Sequence, residues 1–436
     1  MSAFEVRVEW LDAPDVSTPE LAATWARYEV WADDRCVTQV ESDSTFRRGV
    51  YGSLYPLAEW LVANWWFLTR SVRPSATSRR YWTWLNVQRQ SWLRNHNMRG
   101  AGNGMAWPDV TVVPEGAMTS IKWSADRGSV LGPVRFMSSG HAYVNAQAMQ
   151  TGLARVVAIT LERLAESGLH KTRLAEDWNA LGHLDDEETE FCVTAARLGL
   201  DPFDVSDQLA DEIIQAAEEL PAELADDFFD SVDPARLGQA ARWAHRAVRV
   251  AERASARARS DLRTFDAVVA DADSLALAAE RVWEAGYHMA RSVRHRLDLQ
   301  DLTRFDPSPW IALGAVAEDS AGIQGVAATK NNRLGLVLGD PLMSTSSRRF
   351  AQATALGHTL ARPGQGSFLL SAAHRDDGQV ARAFAAELLA PAAGIRQFLD
   401  RLGRQDDLAL ESTAQHFGVS PILIRHQYDN QVARTS

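Results

Sequence analysis

The hydrophobic pattern changes twice along this 436-residue chain, and the change limits the folds open to it. Early segments such as Phe4–Trp10 and Tyr28–Trp31 alternate between apolar and polar residues, as half-buried strands do. From about Val144 to Leu302, apolar residues recur every three or four positions, which is typical of amphipathic helices. Strand patterns return after Asp306. The sequence therefore predicts a multidomain α+β protein, because this length exceeds one ordinary core.

We predict three domains. Residues 1–143 form a mixed α+β domain with an aromatic core, since most of the 15 tryptophans lie there. Residues 144–305 form an all-α domain, and residues 306–436 form a small sheet followed by helices. The tryptophans of the first domain are interpreted as core residues. The alternative is a groove that stacks a flat ligand or a base, lined by Trp65, Trp66, Trp82 and Trp84.

Composition and charge restrict the class of protein. Cys36 and Cys192 lie too far apart in sequence to suggest a disulfide framework or a metal knuckle. The first residues enter a strand pattern directly, and the most apolar run, 57–68, contains Glu59 and Asn64. We therefore expect a cytoplasmic protein without a membrane partner. The net charge of -11 argues against nonspecific nucleic-acid binding by the whole surface.

Charge is segregated within the predicted all-α domain. Twelve acidic residues and no lysine or arginine lie between Asp201 and Asp233. The next helix carries five arginines within an arc of about 80°, opposite an apolar face. We call them the arginine ridge: Arg242, Arg246, Arg249, Arg253 and Arg257. The ridge is interpreted as a solvated face or one that pairs with the acidic helices. The alternative is contact with a nucleic-acid backbone or an acidic partner.

The segment Arg349–His358 has the spacing of a zinc-peptidase helix that has lost its chemistry. Such a helix carries two histidines one turn apart, with a catalytic glutamate next to the first. Here only His358 remains, and Thr354 and Ala355 stand at the other two positions. A neutral hydroxyl is a poor zinc ligand, and a methyl group cannot move a proton.

The residues around these positions resemble the ImmA/IrrE-like metallopeptidases. That family carries Arg-Phe-x-x-x-His-Glu-x-Gly-His, then a helix Glu-x-x-Ala-Asn-x-Phe-Ala-x-x-Leu-Leu-x-Pro, and a late Phe-x-Val-Ser. This chain keeps the frame of all three segments at Arg349–His358, 378–391 and Phe417–Ser420. The resemblance implies a gluzincin-like domain over roughly the last quarter of the chain. It also implies that Gly378 replaces the glutamate that is the third zinc ligand in the family.

Three functions follow as hypotheses. The first is a catalytically degenerate member of this family, without a cofactor, that binds a protein partner such as a repressor or regulatory complex. The resemblance places it in stress response or in phage and mobile-element control. The second is a metallopeptidase with zinc at a rebuilt site of His358, His374 and Asp377. The third is a nucleic-acid-associated protein that uses the arginine ridge. We favour the first, because the chemistry fails at Thr354, Ala355 and Gly378.

Overall fold

The computed structural model describes residues 4–13, 16–42, 45–73, 89–126, 134–270, 282–340, 343–371 and 376–433. They form two compact units, one ending at Ala210 and the other starting at Asp211. The chain is mixed α+β, with several small sheets and many helices, as predicted. The three-domain division with boundaries at 143/144 and 305/306 stays a prediction. Within the described ranges, no helix has the length and apolarity needed to cross a membrane.

The first unit contains small antiparallel sheets. In the largest, the central strand β2 pairs along its length with β1, and successive residues alternate between buried and half-buried positions. The alternation arises because neighbouring side chains of a strand point to opposite faces. The strands are β1 (Phe4–Trp10), β2 (Trp25–Ala32), β3 (Arg35–Cys36), β4 (Val40–Ser42), β5 (Thr45–Arg47), β6 (Val50–Ser53), β7 (Asp109–Glu115), β8 (Met118–Ser124), β9 (Arg135–Phe136) and β10 (Gly140–Asn145).

Helices complete the core of the first unit. They are α1 (Pro19–Ala23), α2 (Tyr55–Ala63), α3 (Trp65–Arg70), α4 (Arg89–His96), α5 (Ala146–Glu166), α6 (Arg173–Gly182) and α7 (Asp186–Arg197). Trp65 and Trp66 of α3 are buried, and Trp65 meets Trp178 edge to face at 5.2 Å between ring centroids. Core packing is therefore confirmed for these two side chains. Trp82 and Trp84 lie outside the described residues.

The second unit is built on one four-stranded sheet. Its strands are β11 (Ile311–Gly314), β12 (Gly325–Lys330), β13 (Arg333–Leu338) and β14 (Ser367–Leu370), in the order β11-β13-β12-β14. Strands β11 and β13 are parallel, whereas β12 is antiparallel to both of its neighbours. Strand β14 therefore lies at one edge of the sheet.

The helices of the second unit lie both before and after these strands in the chain. They are α8 (Asp207–Glu219), which spans the division at Ala210, then α9 (Ala222–Ser231), α10 (Leu237–Ser255), α11 (Val282–Arg296), α12 (Thr345–Ala361), α13 (Asp376–Leu389), α14 (Ala392–Leu402), α15 (Asp407–Phe417) and α16 (Pro421–Gln427). Leu334 and Leu336 pack into one cluster with residues of α12. Gly335, between them, faces α10, where a Cβ atom would lie 1.8 Å from the Ala251 carbonyl oxygen. Helices α10 and α12 thus cover opposite faces of the sheet.

Glycines allow close approach of the helices that carry Thr354, Ala355, His358 and Gly378. We call these four positions the remnant motif and the region around them the remnant site. A Cβ atom at Gly357 of α12 would lie 2.8 Å from the Phe384 ring of α13. A Cβ atom at Gly286 of α11 would lie 2.2 Å from the Val380 carbonyl oxygen of α13. Helix α13 is therefore clasped between α11 and α12, which fixes the position of the remnant site.

Candidate functional site

Three positions of the remnant motif lie in the buried middle of α12. Thr354 and His358 are 7% and 5% exposed, and Ala355 is fully buried. The Thr354 hydroxyl donates a hydrogen bond to the Phe350 carbonyl oxygen at 2.9 Å, within its own helix. The three positions thus share one buried region, as their spacing predicts.

The residues at these positions do not fit a zinc ion. Zinc in peptidases takes three nitrogen or carboxylate ligands from the protein. Besides the imidazole of His358, the motif offers the Thr354 hydroxyl, which already donates to a carbonyl oxygen, and the methyl group of Ala355. Gly378, in the first turn of α13, has no side chain to offer. No reaction step through a metal is derived from this set.

The surroundings of His358 are apolar and cationic. Its ring stacks on Phe368 of β14, with 5.7 Å between ring centroids and 29° between planes. Burial lowers the pKa of His358 to about 3, and the positive charges of Arg382 and Arg362 add to the effect. His358 is therefore a neutral, packed imidazole at neutral pH.

Arg382 lies close to this imidazole from the neighbouring helix α13. Its Nη1 donates a hydrogen bond to the Ser371 carbonyl oxygen at 3.2 Å. Burial lowers the pKa of Arg382, and the Asp227 carboxylate of α9 opposes that change. The position aligned with an asparagine in the resembled family is thus a cation here.

The rebuilt set of His358, His374 and Asp377 is only partly visible. Asp377 forms an ion pair with Arg362, so its carboxylate already has a cationic partner. His374 lies outside the described residues. In the part of the chain that the structure describes, no three histidine, cysteine or acidic side chains are grouped to hold a metal ion.

Arg349 shows why part of the motif frame has a structural role. This buried guanidinium donates to the carbonyl oxygens of Phe305, Phe417 and Gly418, the second at 2.9 Å. Gly418 takes a positive φ of 63° directly after α15. One side chain of α12 therefore holds the end of α15 and the loop before β11 together.

Helix α9 lies against the outer edge of β14, next to the remnant site. The Glu223 carboxylate accepts hydrogen bonds from the Ser367 amide at 2.9 Å and from the Ser367 hydroxyl at 3.0 Å. Gln365 donates to the Ser367 carbonyl oxygen at 2.9 Å. The backbone amide and carbonyl groups of Ser367 on this edge are thus hydrogen-bonded by side chains rather than by another strand.

The arginine ridge lies on the outer face of α10, and all five of its side chains are exposed. Arg246 pairs with Glu318, in the loop after β11, and Arg257 donates to the Leu313 carbonyl oxygen at 2.8 Å. Arg253 donates to the carbonyl oxygen of Arg249 in its own helix. Among the described residues, Arg242, Arg249 and Arg253 form no ion pair. Arg246 thus pairs with a loop residue and not with the acidic helices.

Two polar arrangements were not predicted from the sequence. His141 Nε2 lies 2.8 Å from the Ser120 hydroxyl across two strands, although 21 residues separate them. Burial lowers the pKa of His141, and the positive charge of Lys122 adds to the effect. In the second unit, buried Glu387 lines a cleft of about 610 Å³ together with Arg291 and Arg396. Only tertiary pairing, which has no local signal, brings these groups together.

A scan against protein-family models and searches of curated proteins and solved structures found no match to this chain.

Proposed function

We propose that the chain is a non-catalytic member of the ImmA/IrrE-like metallopeptidases that acts in the cytoplasm by binding a protein partner. Its setting would be regulation in stress response or in the control of phage and mobile elements. The gluzincin-like part would comprise the sheet β11–β14 with helices α12 and α13, an arrangement compatible with the order of the motif segments.

The state of His358 supports this proposal best. A metallopeptidase needs an imidazole that is accessible to a divalent cation and a carboxylate beside it. His358 is instead buried against Phe368 and faces the positive charges of Arg382 and Arg362. Both guanidinium groups oppose a divalent cation there, although Asp377 pairs with Arg362 and Asp227 partly offsets the charge of Arg382.

Restoring the family motif tests the proposal directly. The variant Thr354→His, Ala355→Glu, Gly378→Glu and Arg382→Asn should take up about one zinc ion per chain, because it regains two ligands, which complete a set of three with His358, and loses one cation. The wild-type protein should hold only trace metal. Elemental analysis after dialysis, together with zinc-dependent thermal unfolding, measures both.

Adding His358→Gln to the restored variant serves as the control and should abolish zinc uptake. Stoichiometric zinc in the wild-type protein would overturn the non-catalytic assignment. A restored variant that folds but ignores zinc would remove the family resemblance. A protein partner that co-purifies with the wild-type chain should be recovered at full length. A partner cleaved at one site would indicate proteolysis.

A second candidate function rests on the arginine ridge. Among the described residues only Arg246 of the five forms an ion pair, and all five side chains lie on the solvent side of α10. Such a row suits a nucleic-acid backbone, where each phosphate contact releases a counterion. Binding would then be strongly dependent on salt.

A further inference from the structure

Among the described strands, none pairs with the outer edge of β14. Its inner edge pairs with β12, from Gly325↔Leu370 to Ala328↔Ser367. The Ser367 amide points away from β12, because it donates to Glu223. By strand alternation the Leu369 amide points the same way. Unpaired edges of this kind readily accept another strand.

Helix α9 covers this edge. All four residues of β14 are buried, although the strand is at the edge of the sheet. Leu224 and Phe228 of α9 are fully buried, and among the described elements α9 packs chiefly against β14. The cover therefore combines an apolar contact with the paired hydrogen bonds from Ser367 to Glu223.

The same helix also balances charge at the remnant site. Burial lowers the pKa of Arg382, and the carboxylate of Asp227, one turn after Glu223, opposes that change. Asp227 thus partly offsets the cation near His358. Lifting α9 would remove this counter-charge and would expose the edge of β14 at the same time.

We propose that α9 is a detachable cover that keeps the edge of β14 closed, and that an extended peptide of a protein partner replaces it by adding as a strand. This inference adds regulation to the proposed protein-binding function. Its test does not depend on zinc, so the two proposals can fail separately. Strand addition at a sheet edge is a common mode of peptide recognition.

Amide hydrogen exchange on the full-length chain tests the cover. In Glu223→Gln, exchange at Ser367, Leu369 and the α9 amides should accelerate about tenfold, because a charged acceptor is lost. The Leu356 amide in α12 should be unchanged. The matched control Glu218→Gln removes an exposed carboxylate from α8 and should leave all of these rates unchanged. If Glu223→Gln does not fold, Ser367→Ala removes one of the two hydrogen bonds and should give a smaller acceleration at the same amides.

A synthetic peptide copying residues 323–331, at millimolar concentration, tests the strand acceptor. It should slow exchange at Ser367 and Leu369 in Glu223→Gln at least fivefold more than in the wild-type protein. Two results would overturn the inference. One is exchange of α9 that always matches that of α12, which would make α9 part of the core. The other is a Glu223→Gln protein whose Ser367 and Leu369 amides do not respond to the peptide.

Discussion

The carboxylate of Glu387 and the guanidinium of Arg291 form an ion pair, with 2.8 Å between Oε1 and Nε. The carboxylate is buried, whereas the guanidinium is about half exposed at 49%. Three further donors reach the other oxygen: the Ala392 amide and the side chains of Gln427 and Gln431. Glu387 thus joins the end of α13 to the start of α14 and to the C-terminal turn.

Arg291→Gln should destabilise the second unit, because a buried carboxylate loses its charged donor. We expect the free energy of unfolding to fall by about 1.5–3 kcal/mol. Arg296→Gln, at the exposed end of the same helix, should change it by less than about 0.5 kcal/mol. Urea unfolding followed by circular dichroism compares the two. Equal losses would show that the pair contributes nothing specific.

His358 should make the protein sensitive to acid. Its folded pKa of about 3 lies below the unfolded value of about 6.5, so the unfolded state binds the proton first. The stabilisation is fully present above pH 6.5 and is lost as the pH falls towards 3. His358→Phe should therefore gain about 2–3 kcal/mol relative to wild type between pH 7 and pH 4.5. His426→Gln, at an exposed position, should show no such gain in the same urea titrations.

Gly357→Ala should weaken the contact between α12 and α13. The new Cβ atom would lie 2.8 Å from the Phe384 ring and 3.1 Å from the Ala381 Cα atom, so the helices must separate. We expect a loss of about 1–3 kcal/mol in the free energy of unfolding. The Cβ atom of Gly238→Ala in α10 would meet only the ends of two flexible side chains, Arg242 at 3.3 Å and Glu212 at 3.8 Å. It should be neutral or stabilising by up to about 1 kcal/mol, and a loss as large as that of Gly357→Ala would contradict the packing argument.

If the arginine ridge binds nucleic acid, Arg249→Gln with Arg253→Gln should reduce the salt dependence. Two lost phosphate contacts lower the slope of log K against log salt by about 1.8. Fluorescence anisotropy with a labelled 30-base-pair DNA over a salt series gives this slope. The pair Arg296→Gln and Arg401→Gln, exposed elsewhere in the unit, is the control. An absence of binding at low salt would exclude the ridge as a nucleic-acid site.

Local patterns predicted most helices and strands of the second unit, because periodicity depends on near neighbours. The periodicity of residues 345–362 predicts a helix, which is observed as Thr345–Ala361. The apolar runs 311–315 and 334–337 predict strands, which are observed at β11 and β13. The periodicity of residues 234–265 predicts a single helix, and this prediction is wrong in extent. Helix α10 ends at Ser255. A separate short helical turn, Leu262–Phe265, follows, and Asp261 caps its N-terminus.

Contacts between distant segments could not be predicted in this way. Glu223 and Ser367 are 144 residues apart, and nothing in either segment signals the other. The sequence predicts that the arginine ridge is a solvated face or pairs with the acidic helices. Its side chains are exposed, and Arg246 pairs with a loop residue, Glu318. The spacing of Thr354, Ala355 and His358 predicted which positions lie together. It did not predict that Arg382 would place a cation beside them, since that depends on how α13 packs.

The contact between Gly335 and Ala251 sets a limit on how the chain can be shortened. A fragment that starts at residue 306 would lose α10 and bare one face of the sheet to water, including Ala312 and Gly314. Such a fragment would tend to aggregate through that face. Any piece meant to preserve the remnant motif should therefore begin before Leu237, and better still before Ala222.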